Sequence, residues 1–152
     1  DLQRMAHQLH PSVLEFGGLE MAVRAHVNEF GSRTGLSAEL MTRDVPRDIS
    51  LDHATCLYRV LQEGLQNVQK HANATTVLVR LVRTSRGLGL CIHDDGCGIE
   101  NSDGVARRKG LGMISMAERI AMLNGTFHIE SKPNDGTELH AWVPLEQDHR
   151  GA

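Results

Sequence analysis

Four residues in the run from Gln62 to Ala72 could do chemistry together: Glu63, Asn67, Lys70 and His71. At about 100° per residue they fall within an arc of roughly 100° on one helix face. Leu57, Leu61, Leu65 and Val68 gather on the opposite side and can pack onto a sheet. One stripe therefore offers a carboxylate, an amide oxygen, an ammonium and an imidazole. That set suits an octahedral Mg²⁺ carrying a polyphosphate, because magnesium takes few protein oxygens and the phosphates supply others. The solvated face of an amphipathic helix would show the same pattern.

A second group lies in Leu88-Gly89-Leu90-Cys91-Ile92-His93-Asp94-Asp95-Gly96-Cys97-Gly98-Ile99. Side chains alternate on a strand, so Leu88, Leu90, Ile92 and Asp94 point the same way. Asp94 then ends an apolar row facing the core, where an unpaired carboxylate is costly and needs a designated partner. An adenine exocyclic amine would serve as the donor. Gly96 and Gly98 would let the backbone pass close under a flat ring. A hairpin turn with an exposed Asp is the plainer alternative.

The third group is Arg107-Arg108-Lys109-Gly110-Leu111-Gly112-Met113, a basic loop running into a helix start. Free N–H groups at a helix N-terminus bind phosphate, and glycines permit close approach. Neither a P-loop nor a dinucleotide-binding glycine fingerprint occurs anywhere in the chain.

The elements that must position these groups follow from periodicity and punctuation. Helical patterns cover 2–9, ending at His10-Pro11, and about 19–30, the latter carrying Met21, Val23, Ala25 and Val27. A short strand is expected over 38–42. Ser50 and Asp52 offer N-caps for a long helix over about 51–72. Strands over 75–84 and 88–94 flank the turn at Ser85-Arg86-Gly87. Residues 96–110, rich in Gly and charge, read as a flexible loop. A helix over about 111–123 stops at Asn124-Gly125, and strands over 126–131 and 137–143 flank Pro133-Asn134-Asp135-Gly136. The expected fold is α+β, a two-layer sandwich with a mixed, mostly antiparallel sheet and helices on one face.

Composition narrows the classes. With 152 residues the chain is sized for one core. Only 3% of its residues are aromatic, so Leu, Val, Ile, Met and Ala must build that core. A net charge of −3 without long runs gives no footprint for direct nucleic-acid binding. No apolar stretch nears the roughly 18–20 residues that span a bilayer. Cys56, Cys91 and Cys97 form no Cys-x-x-Cys pair and no even framework, which suits a reduced cytoplasmic setting. The chain starts inside a helix-like pattern without an initiator Met, as expected for a piece of a longer protein.

The order of these segments resembles the GHKL ATPase superfamily, and within it the nitrate- and oxygen-sensor-like histidine kinases. The run from Leu57 through Glu63 and Asn67 to Lys70-His71-Ala72 resembles that family's N-box. Asp94-Asp95-Gly96-Cys97-Gly98 resembles its first glycine box, with Asp95 where the family usually has Asn. Gly110-Leu111-Gly112-Met113, followed by Met116, Glu118 and Arg119, resembles the second, and Gly125 and Gly136-Thr137 match the last glycine signals. The resemblance covers about 10–145.

It implies ATP and Mg²⁺ as ligands. Asn67 would ligate the metal with Glu63 ordering water or metal beside it, and Lys70 and His71 would approach the phosphates. Asp94 would receive the adenine amine, with Gly96, Gly98 and Ile99 around the ring. Lys109, Gly110, Leu111, Gly112, Met113 and Thr137 would complete the nucleotide site, with 98–112 a short mobile lid. His10 is followed by Pro11, whereas the family's phospho-acceptor is followed by an acidic residue. So 1–17 is expected to be the end of the second dimerisation helix and its linker, 18–146 the catalytic domain, and 147–152 a disordered tail. The implied partners are the protein's own dimerisation and phospho-acceptor domain, forming a homodimer in the whole protein, and a DNA-binding response regulator. No membrane contact is expected from this piece, although its parent could be membrane-anchored. A serine kinase or ATP hydrolase of the same superfamily, or a degenerate binding module, remains an alternative.

Overall fold

The computed structural model describes residues 11–97 and 103–146, with the side chains of 11–17, 71–72 and 103–111 excepted. The helix expected over 2–9 and the tail over 147–152 lie outside these residues.

The described residues form three α-helices and five strands, in the order α1 (Pro11–Thr34), β1 (Ser37–Arg43), α2 (Leu51–Asn67), β2 (Thr76–Arg83), β3 (Gly87–Asp94), α3 (Asp103–Met122), β4 (Thr126–Ser131) and β5 (Thr137–Pro144). The strands form one sheet in the order β1-β2-β3-β5-β4. Only β1 and β2 run parallel; the other neighbours are antiparallel. A parallel pair needs a long crossover, and α2 supplies it. The fold is the expected α+β sandwich with a mixed, mostly antiparallel sheet.

Strand alternation decides which face the helices cover. Val77, Val79 and Leu81 of β2, Leu88, Leu90 and Ile92 of β3, and Leu139, Ala141 and Val143 of β5 are buried. Against them pack Leu19, Val23, Val27 and Phe30 of α1, Leu57, Val60, Leu61 and Leu65 of α2, and Met116 and Ile120 of α3. In α1 the buried residues follow a helical period, whereas Met21 is 60% exposed and Ala25 also faces outward. The helical run of α1 is broken at Gly18, whose φ is 76°.

Local chemistry sets the other boundaries. Ser50 caps α2, its side chain accepting from the His53 amide at 3.3 Å. At the end of α3, Gly125 N–H donates to Ile120 and Asn124 N–H to Ala121, with Asn124 left-handed at φ 61°. This is the paired bonding of a Schellman stop.

Two expectations need correction. The long helix does not stay α-helical to Ala72, because Val68–Ala72 form a π-helical turn that ends at left-handed Asn73. Residues 96–110 are not loop throughout, because α3 begins at Asp103 rather than Leu111. Ala106-Arg107-Arg108-Lys109 is a run of strong helix formers, and its propensity outweighs the charge that suggested a loop.

Candidate functional site

β3 places Asp94 at its end on the helix-covered face, and this carboxylate is only 4% exposed. It is the one charged side chain buried among the described residues. Its Oδ1 accepts the Gly96 amide at 2.8 Å. Burial pushes its pKa upward, against the amide hydrogen bonds of Gly96 and Thr137 and the neighbouring His93, which pull it down. A buried carboxyl held by two backbone amides sits ready to accept from a ligand N–H.

The turn after β4 completes this corner. Asp94 pairs with Thr137 across β3 and β5. Gly136, at φ 77°, leaves no room for a Cβ, which would strike the Asp94 carbonyl oxygen. The Asn134 amide donates to the Cys97 carbonyl at 2.6 Å, tying the Asp-x-Gly-x-Gly loop to the β4–β5 turn. Gly98 and Ile99 lie outside the described residues.

Asp95, beside Asp94, is engaged by hydrogen bonds from the start of β2. Its Oδ1 accepts the amides of Thr75 and Thr76 at 2.9 Å each, and its Oδ2 accepts the Thr75 hydroxyl at 2.6 Å. The Thr75 hydroxyl, then the two backbone amides, hold its carboxyl far below the usual carboxylate range. Its charge is spent on closing the start of β2 onto the end of β3. The register that pairs Val77 with Asp94 sets Thr76 next to Asp95, a signal the strand pattern carried.

α2 reaches the sheet through Gly64, where a Cβ would come within 2.5 Å of Ile92 Cδ1. Glu63, the residue before Gly64, is half-buried. Across from it, a Cβ on Gly112 would meet Glu63 Oε1 at 2.5 Å, so α3 passes directly against that carboxylate. Glu63 and Gly112, 49 positions apart by their numbers, are thereby brought together. Met113 is partly buried on the core.

Asn67 is the last residue of α2, while Lys70 is exposed on the π-turn. A single α-helical phase therefore does not relate Lys70 and His71 to Glu63; a π-turn of this kind often marks a functional site. The turn is tied to α1, since Arg33 Nη1 donates to Gln69 Oε1 at 3.0 Å. The side chains of His71, Lys109, Gly110 and Leu111 lie outside the description. The free helix N-terminus expected at Gly110–Gly112 is corrected by the structure: these residues sit inside α3, whose first turn lies at Asp103.

A family model described as "Histidine kinase-, DNA gyrase B-, and HSP90-like ATPase" matches residues 52–147. The chain belongs to this ATPase family, as a domain of the histidine-kinase type. It is 34% identical to the sensor histidine kinase MctS of Rhizobium johnstonii, over 95% of this chain and 31% of that protein. It is 31% identical to the oxygen sensor histidine kinase NreB of Staphylococcus carnosus, over 95% of this chain and 42% of that protein. Against DegS of Brevibacillus brevis, a signal transduction histidine-protein kinase/phosphatase, identity is 28% over 95% of this chain and 37% of that protein. The chain thus spans well under half the length of these relatives. In structure it resembles the histidine kinase domain of the Erythrobacter litoralis EL346 blue-light activated histidine kinase. The TM-score is 0.65 at 18% identity, covering 81% of this chain and 59% of that one, a likeness of fold.

Proposed function

We propose that this domain binds ATP with Mg²⁺ and delivers the γ-phosphate to a histidine on the dimerisation helix of its parent kinase, for relay to a DNA-binding response regulator. The observation that carries the reading is Asp94: a carboxylate buried on the helix-covered face, beside Gly96, Gly136 and Thr137. A group so costly to bury is explained by a ligand donor, and the 6-amino group of adenine supplies one. Gly96, Gly98 and Ile99 would flank the ring, with Thr137 at its edge.

Glu63 and Asn67 would hold or orient the metal, whose charge would neutralise that of the phosphates. Lys70, His71 and Lys109 would supply further positive charge, and Gly110, Leu111, Gly112 and Met113 would belong to the segment that closes over the nucleotide. The approach of Gly112 to Glu63 supports that pairing of segments. Phosphoryl transfer needs mainly positioning and neutralisation, and these residues offer both. Residues 18–146 would form the catalytic domain and 1–17 the end of the second dimerisation helix with its linker, a division supported by the break at Gly18. No described helix is long and apolar enough to cross a membrane. We place the domain's work in the cytoplasm, where ATP and the regulator are found.

The chain alone should bind Mg-ATP yet acquire almost no stable label from [γ-³²P]ATP. Joined to its parent's upstream helices, it should acquire an acid-labile phosphate. An acid-stable phosphate would assign a serine kinase instead, and steady phosphate release without labelling would assign a hydrolase.

A further inference from the structure

The face of the sheet that no described helix covers carries its own chemistry. Register places Cys91 opposite His140, and His93 opposite Glu138, across β3 and β5. It continues with His140 opposite His128 and Glu138 opposite Glu130 across β5 and β4. On this face stand three imidazoles, two carboxylates and a thiol, none of which the nucleotide site uses.

Their atoms converge on Glu138. Its Oε1 lies 3.2 Å from His140 Nε2 and 3.4 Å from Cys91 Sγ, and its Oε2 lies 3.8 Å from His93 Nδ1. One ligand atom from each of Cys91, Glu138 and His140 falls within 4.8 Å of the others. Zinc bonds of about 2.0–2.3 Å in tetrahedral geometry require donor–donor edges of about 3.3–3.8 Å. Two of the three edges are therefore already near the required length, before any ion draws them together.

We infer that Cys91, Glu138 and His140 form a binding site for a transition-metal ion of the Zn²⁺ class, with water in the fourth position. The mixed sulfur, nitrogen and oxygen donors select against Mg²⁺, which keeps to oxygen ligands. The site is therefore chemically separate from the magnesium position proposed beside Asn67. Glu130 directly faces Glu138, a like-charge pair that a cation relieves; His128 already bonds Glu130 at 2.8 Å. Arg80, opposite Cys91 on β2, is a cation working against it. Binding displaces the Cys91 thiol proton and its hydrogen bond to Glu138, so the Sγ–metal bond forms as the proton leaves to solvent. Because the ligands come from β3 and β5, the ion would clamp the two strands whose ends hold Asp94 and Thr137.

The test uses the intact chain without nucleotide, in excess Mg²⁺, titrated with Co²⁺ and Zn²⁺. We expect one Co²⁺ with a thiolate-to-metal charge-transfer band and tetrahedral d–d absorption, both removed by Zn²⁺. Cys91→Ser should abolish the band, while Cys56→Ser and Cys97→Ser should keep it. His140→Ala should weaken binding by at least about tenfold, a loss that even outer-shell substitutions reach. Trp142, the only tryptophan and two residues from His140, should be quenched by Co²⁺. Should Cys91→Ser fold poorly, retention of the band in the other two cysteine variants and the His140→Ala loss still decide the matter. Absence of the band in the unaltered chain, or its survival in folded Cys91→Ser, would overturn the inference.

Discussion

The two ends of the proposed nucleotide site are held in place by different means. At the adenine end, Asp94, Gly96, Gly136 and Thr137 are fixed by strand pairing and backbone hydrogen bonds, with Asp95 clamping β2 onto β3. At the phosphate end, Glu63, Asn67 and Lys70 ride on a helix that turns into a π-turn, facing a second helix through Gly112. A group positioned by ladder geometry can move only if the sheet moves. A group on a helix terminus can shift with one turn of winding. In the proposed function, recognition would fall to the rigid end and closure to the adaptable one.

Substitutions that strike each end separately test this division. Gly136→Ala should have the largest effect on stability, about 2 kcal/mol or more, because a left-handed position and a Cβ against the Asp94 carbonyl act together. Chemical denaturation measures it, and a loss below about 0.5 kcal/mol would remove the strained corner from the account. Gly112→Ala should do the opposite to fold and function. Helix propensity offers up to about 1 kcal/mol in favour of Ala, while the displaced Glu63 should cut phosphoryl transfer in the parent kinase by about tenfold. Equal loss of stability and activity would show that Gly112 serves packing alone.

Asp95→Ala should lower the melting temperature most near neutral pH. The depressed pKa of Asp95 means its contribution is complete above the unfolded value of about 3.9 and fades as pH falls below it. The gap between the two proteins should therefore narrow from about pH 4 downward; a gap independent of pH would assign Asp95 a role without its charge.

The contrast also explains what was legible in the sequence. Alternation along Leu88, Leu90, Ile92 and Asp94 identifies the buried carboxylate because a strand's period is fixed by the pleat. The parallel β1–β2 pair is equally accessible, given the long helix between the two strands. Helix phase is harder. Nothing in Val68-Gln69-Lys70-His71-Ala72 announces π winding, and extending the α period through it misplaces Lys70 relative to Glu63. The early start of α3 was hidden for another reason: Gly104 and Gly110 read as loop, whereas the Ala-Arg-Arg-Lys run between them favours helix. The metal-type cluster was within reach, since the alternation that buries Asp94 turns Cys91 and His93 outward. Its partners Glu138 and His140 lie 47 and 49 positions from Cys91, and only strand order joins them.

The central claim is that Asp94 reads adenine, and calorimetric titration of the chain with Mg-ATP and Mg-GTP, beside Asp94→Asn, tests it most directly. Burial raises the pKa of Asp94, so its ionised form costs stability as pH rises through that value, and Asp94→Asn should not lower the melting temperature at neutral pH. A hydrogen bond to a charged partner contributes about 1.5–3 kcal/mol, so the account predicts ATP affinity falling about 10- to 100-fold in this variant. It also predicts that GTP, with an oxygen where adenine has its amine, binds the unaltered chain more weakly than ATP by a similar factor. Equal affinity for ATP and GTP, or unchanged ATP affinity in a folded Asp94→Asn protein, would contradict it.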